Sequence, residues 1–520
     1  MSSEVAFEKP SLWVSLTRAV RPWQLVLLLS LSFALAYSQQ PLFSPNQNTY
    51  LLHGLARAGY GTLAQDWLAG TTDPTPLFSA FVALTARLLD ARLVQVYGAV
   101  LMGVYLWGLL GISSCMQPRP PTALYIAALF VLHSNWLADT SKGAWGWDAR
   151  ELLWDGVAGQ YAVGSAFQPS MFGVLLVASI AAFLRERYWL STILLVVAAA
   201  MHPTYLLSAG LLAGAYMGVR FAQDRDARGA WGIGAMAALG LAPVALYVFS
   251  HFGPTSHTQY YQAKEILATL RIPHHALPQV WFDWTACVKV GLVVAALYLS
   301  RRSRLFWVLL LPFVAACLLT AVQVATGSYA LALVFPWRPS VFIVPVATAV
   351  VLGRLLALVA PSVQRLSVRW QSALSVCSLL VVVGCAAAGA QNTVTQAAEQ
   401  AEHTHTPMQT FVERNKSVGQ VYLVPPEWQT FRLDTGAAIF VDWKSHPYKD
   451  AEVLEWYERV QLAQQFYEYR DGLDVESLRA ICQRGGVTHV VLPTWRSGAL
   501  PEQLVEVHRD SAYGVYRVVG

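Results

Sequence analysis

Long apolar runs recur through the first 390 residues, and that repetition limits the fold more than any motif does. A helix needs roughly 20 apolar residues to cross a bilayer, fewer where its ends snorkel. Runs of about that length centre on Leu28, Met102, Phe130, Leu175, Val196, Leu212, Leu239, Val293, Leu310, Ala347 and Val381, which predicts about eleven transmembrane helices. Because 55% of the residues are hydrophobic and only 13% charged, the average residue prefers hydrocarbon to water. The expectation is an all-α polytopic membrane bundle. Pro76 to Leu89, at 14 residues, is too short for a crossing and reads as an interfacial or re-entrant helix.

Charge placement orients the bundle. The opening MSSEVAFEKPSLWVSLTRAVRPW is a basic, amphipathic lead into an uncleaved first span, which puts the N-terminus in the cytoplasm. With Pro76 to Leu89 kept outside, the inside loops carry Arg18 and Arg21, Arg119, Arg185 and Arg187, Arg220, Arg225 and Arg228, Arg301, Arg302 and Arg304, and Arg365 and Arg369. The opposite loops, 39–92, 137–167, 251–283 and 323–339, are mixed in charge and rich in Asp, Glu, His and Trp. All long polar loops therefore share the outer face. The six cysteines include no CxxC pair, so no disulfide framework or zinc site is encoded.

After about Gln391 charges become frequent and the apolar runs stop, so residues 391–520 are expected to form a soluble outer domain, leaving 1–390 to the membrane. VYLVPP, AIFVDW, THVVLP, VEVHRD and GVYRVV read as strands, with helices over Ala451 to Tyr469 and Val475 to Arg484. That is a small α/β domain with a mainly parallel sheet. Gly485-Gly486 fits a helix C-cap. There is no phosphate-binding glycine loop, so the domain reads first as a lid or structural cap.

Candidate chemistry lies in the outer loops. In the first, His53 and Arg57 are four apart on one helical face, Asp66 lies in QDW and Asp73 opens the turn DPTP. A carboxylate beside aromatic groups at an interface can act as general base for an incoming hydroxyl or amine; the competing reading is a turn or helix-end carboxylate. The second loop gathers Lys142, Asp148, Arg150, Glu151 and Asp155 among Trp145, Trp147 and Trp154, which suits either an interfacial belt or a saccharide. In the third, His251, His257, His274 and His275 lack zinc spacing, which favours substrate or phosphate contact over metal. Arg338 stands at the outer mouth of a late span, where a guanidinium can grip a lipid phosphate, and His202-Pro203 could line the same space.

Three segments, NQNTYLLHGLARAG, DPTPLFSAF and FPWRPSVFIVP, resemble the GT-C superfamily of polytopic glycosyltransferases, which includes protein O-mannosyltransferases and bacterial aminoarabinose transferases. The resemblance implies a polyprenyl-phosphate sugar donor, an outer active site and a catalytic acid just after the first span. At that place this chain has Asn46, Gln47 and Asn48, and an amide cannot serve as base. The expectation is a glycosyltransferase of the bacterial inner membrane that moves a sugar to a glycan, lipid or protein acceptor on the periplasmic face. In it Asp66 and Asp73 are the catalytic candidates, and Arg338, His53, Arg57, His202, His274, His275, Lys142 and Asp148 contact substrate. An oligosaccharide ligase or polymerase with a polyprenyl-pyrophosphate donor, a transporter or flippase, and a scaffold stay open as alternatives. The partners besides donor and acceptor are membrane lipids and no nucleic acid; no cofactor is encoded, and a divalent cation stays open.

Overall fold

The computed structural model describes residues 21–43, 45–404, 406–468, 473–496 and 501–519. The lead before Arg21, Arg18 included, and Tyr469 lie outside them. Among the described residues, six helices are long and apolar enough to cross a membrane: 91–114, 203–222, 227–251, 304–326, 340–365 and 368–401. The other five expected spans are apolar helices of 10–17 residues: Pro22–Tyr37, Thr122–His133, Pro169–Leu184, Tyr188–Met201 and Trp284–Ser300. Their shortness has local causes. Tyr188–Met201 stops because Pro203 drives His202 into an extended conformation (φ −145°, ψ 99°), which ends the ladder and turns the imidazole inward. Pro76–Leu88 is a 13-residue helix, as its length in the sequence predicts.

Burial separates the lipid-facing helices from the central one. Ala227–His251 leaves Leu239 and Phe249 each 78% exposed, which in a bilayer is contact with acyl chains. Ser340–Arg365 is the most enclosed, with 67% of its apolar window inside the protein. The basic short loops gather at one end, where Arg304 reaches Asp224 at 2.7 Å and Glu186 at 3.1 Å. At the other end the first loop, the segment 155–170, the histidine loop and Arg338 meet beneath the C-terminal domain.

That domain holds a five-stranded sheet in the order β2-β1-β3-β5-β4, with β1 at Val421–Leu423, β2 at Ala438–Ile439, β3 at His489–Pro493, β4 at Leu504–Arg509 and β5 at Tyr513–Val518. β1 pairs parallel with β2 and β3, while β3–β5 and β4–β5 are antiparallel. The sheet is therefore mixed and not mainly parallel: a tight connection from Arg509 to Tyr513 makes the last two strands a hairpin, which only antiparallel strands can form. The helix ending at Gly485 closes on Gly486 in the left-handed region (φ 59°), as expected. The composition change near Gln391 marks no break in the backbone, since the last span continues as one helix, Val368–Thr404.

The domain sits on the first outer loop. A Cβ on Gly61 would come within 2.1 Å of the Gly436 carbonyl oxygen, so glycine is required there, and the Thr62 amide donates to that same oxygen at 2.8 Å. Beside this contact Arg432, 1% exposed, bridges Asp66 at 2.7 Å and Asp442 at 2.5 Å. Trp67 packs into the domain core around Trp456 and Phe440, and Leu433 into the membrane core.

Candidate functional site

Two polar cavities open at the end of the bundle that carries the C-terminal domain, on either side of Tyr161, which lines both. The first has a volume of about 140 Å³ and draws walls from six stretches of chain, the segment 159–170 with Tyr161 among them. The first loop supplies Asn46 and Tyr50, the break after Met201 supplies His202, and the residues before the central helix supply Arg338. A π-helical turn, Ile266–Arg271, delivers Arg271, with His274 and His275 just beyond it; such a turn inserts one extra residue and re-aims the side chains after it. The C-terminal domain adds Lys444, His446 and Tyr448.

No carboxylate lines this cavity among the described residues, so Arg271, Arg338 and Lys444 face it without an acidic partner. Arg338 lies over the Tyr205 ring at 4.6 Å and touches Gln160 Oε1 at 3.4 Å, while its Nε and Nη2 are buried without hydrogen bonds. Phe335 on the same short segment is left-handed (φ 55°), a strained conformation for a bulky residue and one that collects at functional sites. The histidines are neutral. Burial, and then the neighbouring His274, push His275 down to about 3, and burial likewise holds His446 well below its ordinary value. His275 is anchored through Nδ1 to the Ala158 carbonyl at 2.7 Å, which leaves Nε2 as an acceptor.

An apolar cavity of about 290 Å³ adjoins the basic one and shares Tyr50, His202, Thr204, Phe335 and Tyr448 with it. It lies between the start of the span 203–222, through Leu206 and Leu207, and the end of 227–251, through Val248. A cationic pocket that continues into an apolar one among lipid-facing helices fits an amphiphile with an anionic head.

The second polar cavity, of about 320 Å³, is acidic: Asp139, Asp148, Glu151 and Asp155 line it with Lys142 and Arg150. Asp148 caps the short helix Ala149–Leu153 and is gripped by Arg150 at 2.7 Å and Lys142 at 3.4 Å. Burial opposes its ionisation, but Arg150 prevails and holds the carboxyl below the usual range. Asp155 is its opposite. Its Oδ1 is buried with no hydrogen-bond partner, and burial raises its carboxyl well above the usual range despite the nearby Lys289 ammonium.

The structure thus divides the residues that the sequence grouped together. Arg338, His202, His274 and His275 meet in the basic cavity, and Lys142 and Asp148 in the acidic one. Asp66 belongs to neither. It is 2% exposed, accepts from Arg432 Nε at 2.7 Å, the Ile439 amide at 3.0 Å and the Leu68 amide at 3.0 Å, and ties loop to domain. With a guanidinium and two backbone amides on it, this carboxylate keeps at most one of its acceptor sites, and it lies at the seam of loop and domain outside both polar cavities, the place of a clasp. Asp73 accepts from the Thr75 amide at 2.9 Å and the Ser79 hydroxyl at 3.1 Å, capping Pro76–Leu88, and pairs with Arg57 at 2.8 Å. Both Asp73 and Arg57 are thereby structural. His53, buried beside that pair, is held below its ordinary value by burial and lines none of these cavities.

Of the amides in place of the expected acid, only Asn46 lines the basic cavity, and it donates to the Tyr161 hydroxyl at 2.7 Å. Gln47 turns away and bonds the Phe43 amide and the Phe167 carbonyl. Sequence reasoning missed Arg271, Lys444, His446, Tyr448 and Tyr161 and left Asp155 without a role. Arg271 stands three residues before His274, and Lys444, His446 and Tyr448 alternate, the spacing that puts extended side chains on one side.

Residues 404–463 match a family described as a domain of unknown function (DUF6798). No curated protein matches the chain. Among solved structures it is similar to ArnT from Cupriavidus metallidurans bound to undecaprenyl phosphate, with a TM-score of 0.46 and 13% identity over 98% of both chains. It is also similar to the apo state of that protein, with a TM-score of 0.43 and 14% identity over 98% of both chains. The chemistry of the site rests on its own side chains.

Proposed function

We propose that the chain is a membrane glycosyltransferase that takes its sugar from a polyprenyl-phosphate-linked donor. One observation carries the reading: a cavity with Arg271, Arg338 and Lys444 and no carboxylate among its described lining residues continues into an apolar cavity between two spans. Isolated buried cations are costly unless an anion compensates them, and a lipid phosphate supplies that anion while its chain fills the apolar space. The two arginines stabilise the charge that collects on the phosphate as the glycosidic C–O bond breaks. Neutral His275, with Nδ1 on the Ala158 carbonyl, offers Nε2 as an acceptor to a sugar hydroxyl without adding charge.

The acidic cavity takes the acceptor, a glycan, lipid or protein hydroxyl. Its paired and unpaired carboxylates and its tryptophan suit a polyhydroxylated group. Asp155 replaces Asp66 as the candidate base, because it lines the acidic cavity and its Oδ1 has no hydrogen-bond partner. Single displacement would invert the anomeric carbon. The cavities and the C-terminal domain face the periplasm of a bacterial inner membrane in this reading, as the placement of arginines in the short loops supports.

The test is transfer from a radiolabelled polyprenyl-phosphate sugar in reconstituted vesicles. Transfer that survives Arg338→Ala unchanged would refute the assignment. A second reading, a polyprenyl-pyrophosphate donor, draws on the excess of cations: three positive charges match a pyrophosphate diester better than a singly charged phosphodiester. Transfer from the pyrophosphate-linked donor alone would select it.

A further inference from the structure

The segment after β2 forms a strap across the basic cavity, tied at both ends. At its start the Asp442 carboxylate is held by Arg432 at 2.5 Å and takes the Ser445 amide at 2.6 Å, while Trp456 Nε1 bonds its carbonyl at 3.1 Å. At its far end Lys449 Nζ donates to the Gly253 carbonyl at 2.9 Å, and Asp450 takes the amide and the hydroxyl of Thr255 at 2.6 Å each. Midway, Thr49 of the first loop bonds the Ser445 hydroxyl at 3.2 Å. Both anchors hold backbone and carboxylates, which frees the alternate side chains Lys444, His446 and Tyr448 to point elsewhere.

They point into the cavity. His446 Nε2 is buried there without a hydrogen-bond partner, as are Arg271 Nε and Arg338 Nη2. The strap also aims Arg271, whose Nη2 donates to the Lys444 carbonyl. A buried donor with no partner is costly, and the two guanidinium nitrogens, with no carboxylate among the described lining residues, form an incomplete hydrogen-bond set that an anion completes; His446, whose Nδ1 is on the Lys444 carbonyl at 3.3 Å, donates from Nε2 once the arriving anion favours its protonated form.

We infer that the strap is one wall of the phosphate site, with Lys444 and His446 contacting the donor's phosphate beside Arg271 and Arg338, so that the C-terminal domain completes the site. This rests on the reading of the cavity as the place of a lipid phosphate. Lys444 acts as a compact point charge and Arg271 as a planar fork, a division that lets one oxygen be held by each. The strap lies wholly within the matched stretch 404–463, which assigns that domain of unknown function a role in binding.

The experiment measures thermal stabilisation of the full-length protein in detergent by undecaprenyl phosphate, with undecaprenol and inorganic phosphate as controls. A ligand that binds only the folded state raises its stability by RT ln(1 + L/Kd), L being the free ligand concentration, so the titration reads affinity without activity. The expected result is stabilisation by undecaprenyl phosphate and not by undecaprenol, with affinity lowered at least about 10-fold in Lys444→Ala and in His446→Ala, one lost charge-assisted hydrogen bond. Lys444→Arg should retain most of it. If Lys444→Ala fails to fold, Lys444→Met keeps the aliphatic stem and reads the same affinity. Wild-type affinity in the Lys444 and His446 variants, with loss in Arg338→Ala, overturns the inference and leaves the glycosyltransferase reading standing. Wild-type affinity in Arg338→Ala as well overturns both. Stabilisation by inorganic phosphate equal to that by the lipid would keep the strap as a phosphate wall and remove the lipid as its source.

Discussion

The two cavities on either side of Tyr161 are built on opposite principles. In the acidic one Asp148 is neutralised by Arg150 and Lys142 within the protein. In the basic one none of the three cations has an acidic partner at the cavity. The first balances the charge of Asp148 internally and leaves only Asp155 Oδ1 unpartnered, and the second, in the proposed reading, is completed by an anion. They also differ in construction. The acidic cavity is lined wholly by residues up to Gln396, on the membrane bundle, whereas the basic one borrows a wall from the domain beyond it. Charge balance, more than shape, tells which ligand each awaits.

The harshest way to break the comparison is Arg432→Ala. Removing the guanidinium leaves Asp66 and Asp442 buried and unpaired, which should cost about 3–5 kcal/mol and free the strap. Limited proteolysis should then cut the segment after β2 while the acidic cavity keeps its ligands. Next comes Arg338→Ala, expected to lower transfer by about 10²–10³-fold, as for removal of one donor from an oxyanion site. Radiolabelled donor assays in vesicles read it. Asp155→Asn should lower transfer about 10²-fold with donor affinity unchanged, because it acts on the acceptor side. A matching loss of donor binding would merge the two cavities into one.

The pH response sharpens the contrast at a smaller scale. His275 stays neutral in the fold down to about 3, whereas in the unfolded chain it gains a proton near 6.5. Its folded value is depressed, so between those values the unfolded state binds more protons and stability falls as pH falls. Differential scanning fluorimetry from pH 6.5 to 4 should show that decline, and His275→Gln should flatten it by roughly 2–4 °C. Asp434 in the C-terminal domain runs the other way: burial raises it to about 7, so its contribution to stability grows as pH falls below that value. The smallest effect expected is from Lys142→Ala, whose ammonium is half exposed on the rim and worth no more than about 1 kcal/mol to Asp148.

The spans were legible because a bilayer imposes one length and one polarity on them, and each of the eleven predicted centres lies on a helix. Arg338 and His274-His275 were legible for the same reason, as ionisable groups at the mouths of apolar runs. The fate of Asp66 was not, since its partner Arg432 lies 366 residues away and no local pattern links them. The composition change near Gln391 was legible, but not that the helix runs through it. Residues after Gln391 are polar but rich in Ala, Gln and Glu, good helix formers, so the chain leaves the membrane without leaving its helix. The strap has no apolar alternation to announce it, only the spacing of Lys444, His446 and Tyr448.

The Asp66–Arg432 clasp also sets an order of assembly. The carboxylate emerges early in synthesis and its guanidinium 366 residues later, an interval of about 20–70 s at ordinary elongation rates. Throughout that interval the first outer loop must remain hydrated, because Asp66 cannot be enclosed before its counter-charge arrives. Closure of the loop is therefore a late event, and a chain cut short before Arg432 leaves Asp66 in water and the loop open.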